Sequence, residues 1–407
     1  PNSPVRIVHG PQALFFQSQI LYTEGDAAVV RSPVAADIAF EQLYVVKTPL
    51  WFGNLDVVEA YGEVLDFAPG KFAVMRVAPD KVGALSADLH HRGLACGVLF
   101  KLAGDTMPRI LAEVPEPLLP IDLRDARVAA ASSLVVADNI KQTVIELAEI
   151  DTRFHTTPTG RGVAAYLVEK YTALKGDRTD VTIAEYEHED TGQNSLVVRI
   201  EGQGKSDEIL VLGSHIDSVN WRNGSESRAP GADDNASGTS TNLEIFRILM
   251  EQGIKLERTL EIHGYAAEEI GLVGSQEIAR QYRNDGVDVI AMVQFDMNLY
   301  NPAGTEDMIH LVTSNTLGGF NEQLSQLVGH YSGVPVASAP LFGGSSDHAS
   351  WTRQGFAAAF PFEDPSSYNR QIHTAEDTIA NSGRFDQAAA FAKLGVAYVL
   401  HFGGLAN

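Results

Sequence analysis

The chain has 407 residues, enough for one large domain with a substantial accessory domain. Hydrophobic residues make up 44% and charged residues 20% of the sequence, an ordinary globular composition. Asp and Glu outnumber Lys and Arg by 52 to 30, and the formal charge of −22 disfavours binding to the phosphate backbone of nucleic acids. No apolar run approaches the roughly 20 residues that span a bilayer, so we predict no membrane span.

Short extended-looking runs dominate residues 1–130, which we predict to form a small α/β domain. The predicted elements are strands at Ala13–Leu21, Gln42–Val46 and Phe72–Val77, a helix at Asp80–Arg92 and a strand at Gly97–Leu102. No catalytic motif stands out here. His90 and His91 are adjacent and point to different sides of a helix, which argues against a shared metal ion, so both are interpreted as surface histidines. Cys96 is the only cysteine, so it excludes an intramolecular disulfide and is interpreted as a small buried hydrophobic residue.

Apolar strands and amphipathic helices alternate through residues 138–407, beyond the proline-rich segment Pro115–Pro120. The predicted segments, in order, are Asp138–Glu149, Ser195–Ile200, Glu208–Gly213, Ser237–Glu251, Thr259–Tyr265, Leu272–Arg283, Val289–Phe295, Met308–Val312, Gly319–Tyr331, Phe356–Phe360 and Asp386–Leu400. This alternation predicts an α/β fold with a central sheet flanked by helices on both faces. Ligands of such folds bind where the carboxyl ends of strands meet loops.

Polar residues follow the predicted strands at those positions. The strand Glu208–Gly213 leads directly into His215, two residues before Asp217, which suits a metal ligand oriented by a carboxylate. Asp233 and Asp234 stand together among small residues just before a helix. A turn with an N-cap explains one of these aspartates, but their mutual repulsion requires a cation or an exposed site.

A second set of carboxylates follows the next two strands. Glu268 and Glu269 come after Thr259–Tyr265, and paired carboxylates are costly to bury unless something neutralises them. If one of them binds metal, the other is available to take a proton from water. Asp296 follows Val289–Phe295, and His373 lies in a polar loop. Imidazole and carboxylate oxygens are donors that zinc favours, so a catalytic zinc site is predicted.

Six motifs in a fixed order carry a family resemblance. They are His215–Ser218, Pro230–Gly238, Ala266–Gln276, Gln294–Met297, Ser346–Trp351 and Ile372–Thr374. From about Thr152 to the C-terminus, the chain resembles the secreted bacterial leucyl aminopeptidases, which have a co-catalytic two-zinc centre. The resemblance implies the mixed central sheet of the zinc exopeptidases and a secreted or periplasmic protein. The oligomeric state is not determined by the sequence, and a monomer is favoured.

The resemblance also implies a role for each metal-site residue. Asp234 would bridge two zinc ions, Glu269 and His373 would complete one site, and His215 and Asp296 the other. Glu268 would be the general base and Asp217 would orient His215. The peptide bond between Asp234 and Asn235 is expected to be cis.

The substrate implied by the resemblance is a peptide with a free N-terminus and a bulky hydrophobic first residue such as leucine. The apolar wall positions are Met297, Phe360, Phe362, Tyr368 and Ile372. The chain departs from the family pattern at Leu341–Ser345, which has neither the cysteines nor the tyrosine that some members carry there. Oxyanion support from a tyrosine at this place is therefore missing.

Several alternatives stay open from the sequence. Residues 1–130 sit where these enzymes carry a pro-region, so this block is either an intramolecular chaperone or inhibitor or a permanent accessory domain. A single-zinc glutaminyl cyclase, a carboxypeptidase and a non-catalytic binding protein with the same fold are the rival functions. Zinc, cobalt and manganese all suit such donors, so the native metal is also open.

Overall fold

The computed structural model describes residues 4–9, 19–24, 27–31, 42–48, 55–91, 98–102, 118–342 and 344–406. Cys96 and most of the predicted strand Ala13–Leu21 lie outside these ranges. None of the helices in the described ranges is long and apolar enough to cross a membrane.

Two antiparallel sheets form most of the N-terminal part. Its elements are β1 (Val5–His9), β2 (Ile20–Glu24), β3 (Ala27–Arg31), β4 (Leu43–Lys47), α1 (Asp56–Glu59), β5 (Gly62–Ala68), β6 (Phe72–Val77), α2 (Pro79–His91) and β7 (Leu99–Lys101). The strand orders are β1-β3-β2 and β5-β6-β4-β7. The predicted strand Phe72–Val77 is confirmed, and the predicted helix is observed as α2.

The larger part is built around one mixed sheet. The strands of this larger part are β8 (Val181–Tyr186), β9 (Ser195–Ile200), β10 (Lys205–His215), β11 (Arg258–Tyr265), β12 (Asp288–Gln294), β13 (Ile309–Val312), β14 (Val336–Ala339), β15 (Ala358–Ala359) and β16 (Pro361–Phe362). The main sheet has the order β15-β12-β10-β11-β9-β8, and β14-β13-β16 form a smaller sheet. Strand β10 pairs in parallel with β11 and β12, whereas β9 runs antiparallel to β11. The predicted mixed sheet is thus confirmed.

Helices cover both faces of this sheet. They are α3 (Ala126–Ser132), α4 (Ala137–Glu149), α5 (Pro158–Arg161), α6 (Val163–Lys175), α7 (Gly238–Glu251), α8 (Val273–Asn284), α9 (Gly318–Leu327), α10 (His348–Arg353), α11 (Ile379–Ser382) and α12 (Phe385–Gly403). Alternate residues of β10 point to opposite faces. Leu210 and Leu212 join the core that includes α7 and α12, whereas Ile209 and Val211 pack with α8 and α10. Both faces of β10 are therefore apolar.

Residues 118–132 pack with the core of the larger part. Val128 and Ala131 of α3 belong to that core, and the backbone N–H of Leu118 donates to Gln323 Oε1 at 3.0 Å. The division of the chain into domains at 1–130 and 138–407 stays a prediction.

Candidate metal centre

The predicted metal-site residues lie at one edge of the main sheet. His215 is the last residue of β10, Glu268 and Glu269 follow β11, and Asp296 comes two residues after the end of β12. These three strands are parallel, so their carboxyl ends meet at that edge. Asp234 is contributed by a turn that precedes α7.

Four contacts join the five predicted metal ligands into two groups that share Asp234. His215 Nε2 lies 3.0 Å from Asp234 Oδ1 and 3.5 Å from Asp296 Oδ1. His373 Nε2 lies 3.0 Å from Asp234 Oδ2 and 3.2 Å from Glu269 Oε2. Each oxygen of Asp234 therefore faces a different histidine, which is the arrangement of a carboxylate that bridges two cations.

The geometry fits zinc. In a tetrahedral zinc site with ligand bonds of 2.0–2.1 Å, neighbouring ligand atoms are about 3.3 Å apart. The four contacts span 3.0 to 3.5 Å. His215 Nε2 and Asp296 Oδ1 are buried and have no hydrogen-bond partner within the described part of the chain. A bound cation would supply the missing partner for both atoms.

Buried negative charge surrounds the two groups. Nine carboxyl groups at or around the site are buried: Asp217, Asp233, Asp234, Glu268, Glu269, Asp296, Asp347, Glu363 and Asp377. The guanidinium of Arg153 is buried beside them, since this residue is only 1% exposed. Such an excess of buried carboxylates is unfavourable without cations. The charge balance therefore also calls for bound metal.

Without bound metal, the pKa values of the site residues shift because of burial and this excess of negative charge. Burial raises the pKa of Glu269 to about 7. It also raises the pKa of Glu268 well above its usual range, with Asp347 adding to the effect and His215 opposing it. Burial lowers the pKa of His215, but Asp296 and Asp217 outweigh it and raise the pKa well above its ordinary value. Bound dications would reverse the shifts of the carboxyl groups, because they stabilise the ionised form.

Asp217 contacts both halves of the centre. Its Oδ1 lies 3.3 Å from His215 Nδ1 and accepts the backbone N–H of Glu268 at 3.1 Å. Its Oδ2 accepts the backbone N–H of Glu269 at 3.2 Å. Asp217 thus connects the end of β10 to the turn after β11, in addition to the predicted contact with His215.

We expect Asp217→Asn to weaken zinc binding by about 10- to 100-fold, because the carboxylate orients a ligand imidazole and holds the neighbouring turn. Competition with a chromophoric chelator measures this affinity. The exposed Asp207 in β10 provides the matched control Asp207→Asn, for which no change is expected. Equal affinities of the two variants would contradict the role assigned to Asp217.

Arg153 ties together the segments that carry the ligands, a role that the sequence reasoning missed. Its guanidinium donates to the carbonyl oxygens of Ile216 at 3.0 Å and Leu147 at 3.1 Å. It also donates to those of Pro230 at 2.6 Å and Gly231 at 2.9 Å. These bonds fix the loops just after His215 and just before Asp234, so Arg153 is a positioning residue.

We expect Arg153→Met to lower the free energy of unfolding by on the order of 3 kcal/mol, because it leaves several buried carbonyl groups without donors. Urea unfolding followed by tryptophan fluorescence measures the change. Arg228→Met is the control, since the Arg228 side chain is 51% exposed in its ion pair with Asp151. The control is expected to change by less than about 0.5 kcal/mol. An Arg153→Met variant as stable as this control would refute the positioning role.

A further layer of hydrogen bonds holds the turn around Asp234. Asp377 accepts the backbone N–H groups of Asp233 at 3.2 Å and Asp234 at 3.0 Å. Asn235 donates to the carbonyl oxygen of Phe295, which links this turn to the segment after β12. The peptide bond between Asp234 and Asn235 is cis, so that prediction is confirmed.

Left-handed backbone conformations cluster at the site. Ala267, Leu272, Met297 and His373 have φ angles of 51°, 59°, 63° and 57°. Such conformations are unfavourable for residues other than glycine and are concentrated at functional sites. His373 is itself a predicted metal ligand. Ala267 directly precedes Glu268 in the chain, and Met297 directly follows Asp296. The surrounding contacts therefore impose the backbone path that presents these groups.

The predicted pocket residues come together beside the metal centre. Met297, Phe360 and Phe362 are buried in one apolar cluster, against which Tyr368 and Ile372 pack. Leu341, from the segment that lacks the family tyrosine, belongs to the same cluster, whereas Phe342 is 86% exposed. Gly343 lies outside the described residues. The substrate-binding role of the cluster stays a prediction.

The interpretation of His90 as a surface histidine is wrong. Its ring is half-buried and lies 4.6 Å from the ring of His373, centroid to centroid, and 5.6 Å from that of Trp221. The sequence placed His90 in a separate predicted domain, so nothing in the chain order pointed to this contact. The side chain of His91 lies outside the described residues.

Comparisons with known proteins identify one family of peptidases. Residues 195–397 match the family model of Peptidase family M28. Leucine aminopeptidase 1 of Ajellomyces capsulatus (strain H88) is 33% identical over 316 residues, which cover 74% of this chain and 80% of that protein. The crystal structure of the Legionella pneumophila LapA aminopeptidase is similar with a TM-score of 0.76 and 27% identity, covering 89% of this chain and 98% of its own. LapB from the same organism also has a TM-score of 0.76, at 23% identity, and supports the fold alone.

Proposed function

Because this chain belongs to Peptidase family M28, we propose that it is an aminopeptidase that uses two zinc ions. It would remove the N-terminal residue of peptides. The observation that carries the proposal is the division of Asp234 between two histidines, with Oδ1 and Oδ2 each 3.0 Å from a different Nε2. The named relatives above, an aminopeptidase from a fungus and one from a bacterium, support the same reaction class.

The residues present would hold one zinc between His215, Asp234 and Asp296, and another between Asp234, Glu269 and His373. When bound, the metals lower the pKa of water and polarise the carbonyl group of the substrate. Each triad would supply three of the four ligands of a tetrahedral zinc, and a catalytic site needs the fourth position for water or substrate.

Glu268 is the residue best suited to move the proton. Both of its carboxylate oxygens are buried and lack a hydrogen-bond partner within the described part of the chain. Its neighbour Glu269 contacts His373, so the two adjacent glutamates have separate tasks. Glu268 would take a proton from the attacking water and return it to the amine that leaves.

The preference for leucine or another bulky hydrophobic residue rests on the apolar cluster of Met297, Val312, Leu341, Phe360 and Phe362. Side chains in such a cluster bind an apolar group and exclude a charged one. Export from the cell and a bacterial type of enzyme are proposed from the sequence resemblance alone, and a monomer is the favoured oligomeric state.

Hydrolysis of leucine p-nitroanilide tests the function. We expect the zinc-loaded chain to cleave it, to lose the activity with a chelator and to regain it with zinc. N-acetyl-leucine p-nitroanilide, which lacks the free amine, should be a poor substrate. Cleavage of a blocked peptide at its C-terminus would indicate a carboxypeptidase instead, and cyclisation of an N-terminal glutamine would indicate a glutaminyl cyclase. Full zinc loading without any turnover would favour a binding protein.

A further inference from the structure

Helix α2 brings a third histidine to the metal centre. The ring of His90 meets the ring of His373 nearly at right angles, with an interplanar angle of 88°. One ligand atom each of His90, Glu269 and His373 lie within 4.8 Å of one another. These three residues therefore form a group that can share a single metal ion, and His90 is the member contributed by the N-terminal part.

The hydrogen bond of His90 selects the tautomer that binds metal. His90 Nδ1 lies 2.7 Å from the carbonyl oxygen of Ser86, one turn earlier in α2. A carbonyl oxygen only accepts, so Nδ1 carries a hydrogen, and in the neutral ring Nε2 then has the lone pair. Histidine ligands of metals usually have this arrangement, in which one ring nitrogen donates to a carbonyl or carboxylate.

Contacts from α2 and from β7 hold the N-terminal part in this position. Ser86 Oγ donates to the carbonyl oxygen of Glu269 at 3.1 Å, in a buried hydrogen bond that reaches the backbone of a predicted metal ligand. The guanidinium of Arg353 lies 3.3 Å from the ring centroid of Phe100. Lys101 forms an ion pair with Asp190. The N-terminal part is thus seated on the larger part through polar, ionic and aromatic contacts.

We propose that His90 is a fourth ligand of the zinc held by Asp234, Glu269 and His373, and that it keeps the chain latent, with low but measurable activity, while α2 is docked. A zinc with four protein ligands is a closed site, whereas a catalytic zinc keeps a position open. His90 therefore takes the position that water and substrate need. Withdrawal of α2 opens the site. The inference rests on the two-zinc centre proposed above and names how that centre is regulated.

Cobalt titration of the metal-free 407-residue chain tests the ligand assignment without turnover. His90→Phe keeps a ring of similar size against Trp221 and His373 but has no nitrogen. We expect the visible absorption of bound Co²⁺ to change and the affinity for one of the two ions to fall at least tenfold. The control His9→Phe alters an exposed histidine of β1 and should match the wild-type protein. Identical spectra and affinities for His90→Phe and wild type would overturn the assignment, and His90→Ala repeats the test should the phenylalanine variant fail to fold.

Kinetics of the zinc-loaded proteins tests latency. We expect kcat/KM for leucine p-nitroanilide to rise at least tenfold in His90→Ala and to stay unchanged in His9→Ala. An unchanged kcat/KM in His90→Ala would overturn latency even if the metal affinity falls. If neither wild type nor any variant is active, the proposed function fails, and the cobalt titration alone decides whether His90 is a ligand.

Discussion

Replacing Glu268 by glutamine is expected to reduce kcat by about 10²- to 10⁴-fold, the usual contribution of a general base. Glutamine has nearly the same shape but cannot accept the proton of the attacking water. Glu268 is fully buried, and neither of its oxygens has a hydrogen-bond partner in the described ranges, so no structural bond is lost. The zinc content should therefore be unchanged.

Steady-state hydrolysis of leucine p-nitroanilide, together with metal analysis of the same preparation, measures the effect. The substitution is made alone and in the His90→Ala background, in which a higher turnover of the parent protein is expected. Glu169→Gln, an exposed position on α6, is the matched control and should retain full activity. Turnover close to that of the parent protein in a fully metallated Glu268→Gln variant would remove Glu268 as the base.

Asp234→Ala is expected to empty both metal positions, because this side chain is the one that contacts both His215 and His373. Asp296 contacts His215, and no contact between Asp296 and His373 is observed in the described ranges. Asp296→Ala should therefore lose one zinc and keep the other. The comparison separates a bridging ligand from an ordinary one.

Metal analysis after dialysis against a weak chelator measures the two variants side by side. We expect about two zinc ions per chain in the wild type, about one in Asp296→Ala and fewer than one in Asp234→Ala. The same count of one in both variants would mean that Asp234 does not bridge.

Much of the larger part could be predicted because its strands are short apolar runs that end in polar residues. Strand Ser195–Ile200 was predicted with the observed bounds, and His215, Glu269 and Asp296 lie where the strand-end rule expects them. The rule works because hydrophobic periodicity and strand ends are local properties of the chain. Strand β8 and helix α6 were not predicted. The strand Val181–Tyr186 is largely exposed, and the apolar residues of α6 are not confined to one face of the helix.

Contacts between distant segments could not be read from the chain in the same way. Arg153 bonds to carbonyl groups more than 60 residues away, and nothing in the neighbouring residues marks those partners. His373 adopts a left-handed conformation that sequence reasoning reserves for glycine and asparagine. His90 was assigned to the surface because only the docking of two parts of the chain brings it to the metal centre. Tertiary packing decides each of these features.

Anomalous diffraction at the zinc absorption edge, from crystals of the zinc-loaded 407-residue chain, tests the two-metal centre most directly. Two peaks are predicted, one enclosed by His215, Asp234 and Asp296 and the other by Asp234, Glu269 and His373. A single peak, or peaks away from Asp234, would contradict the account.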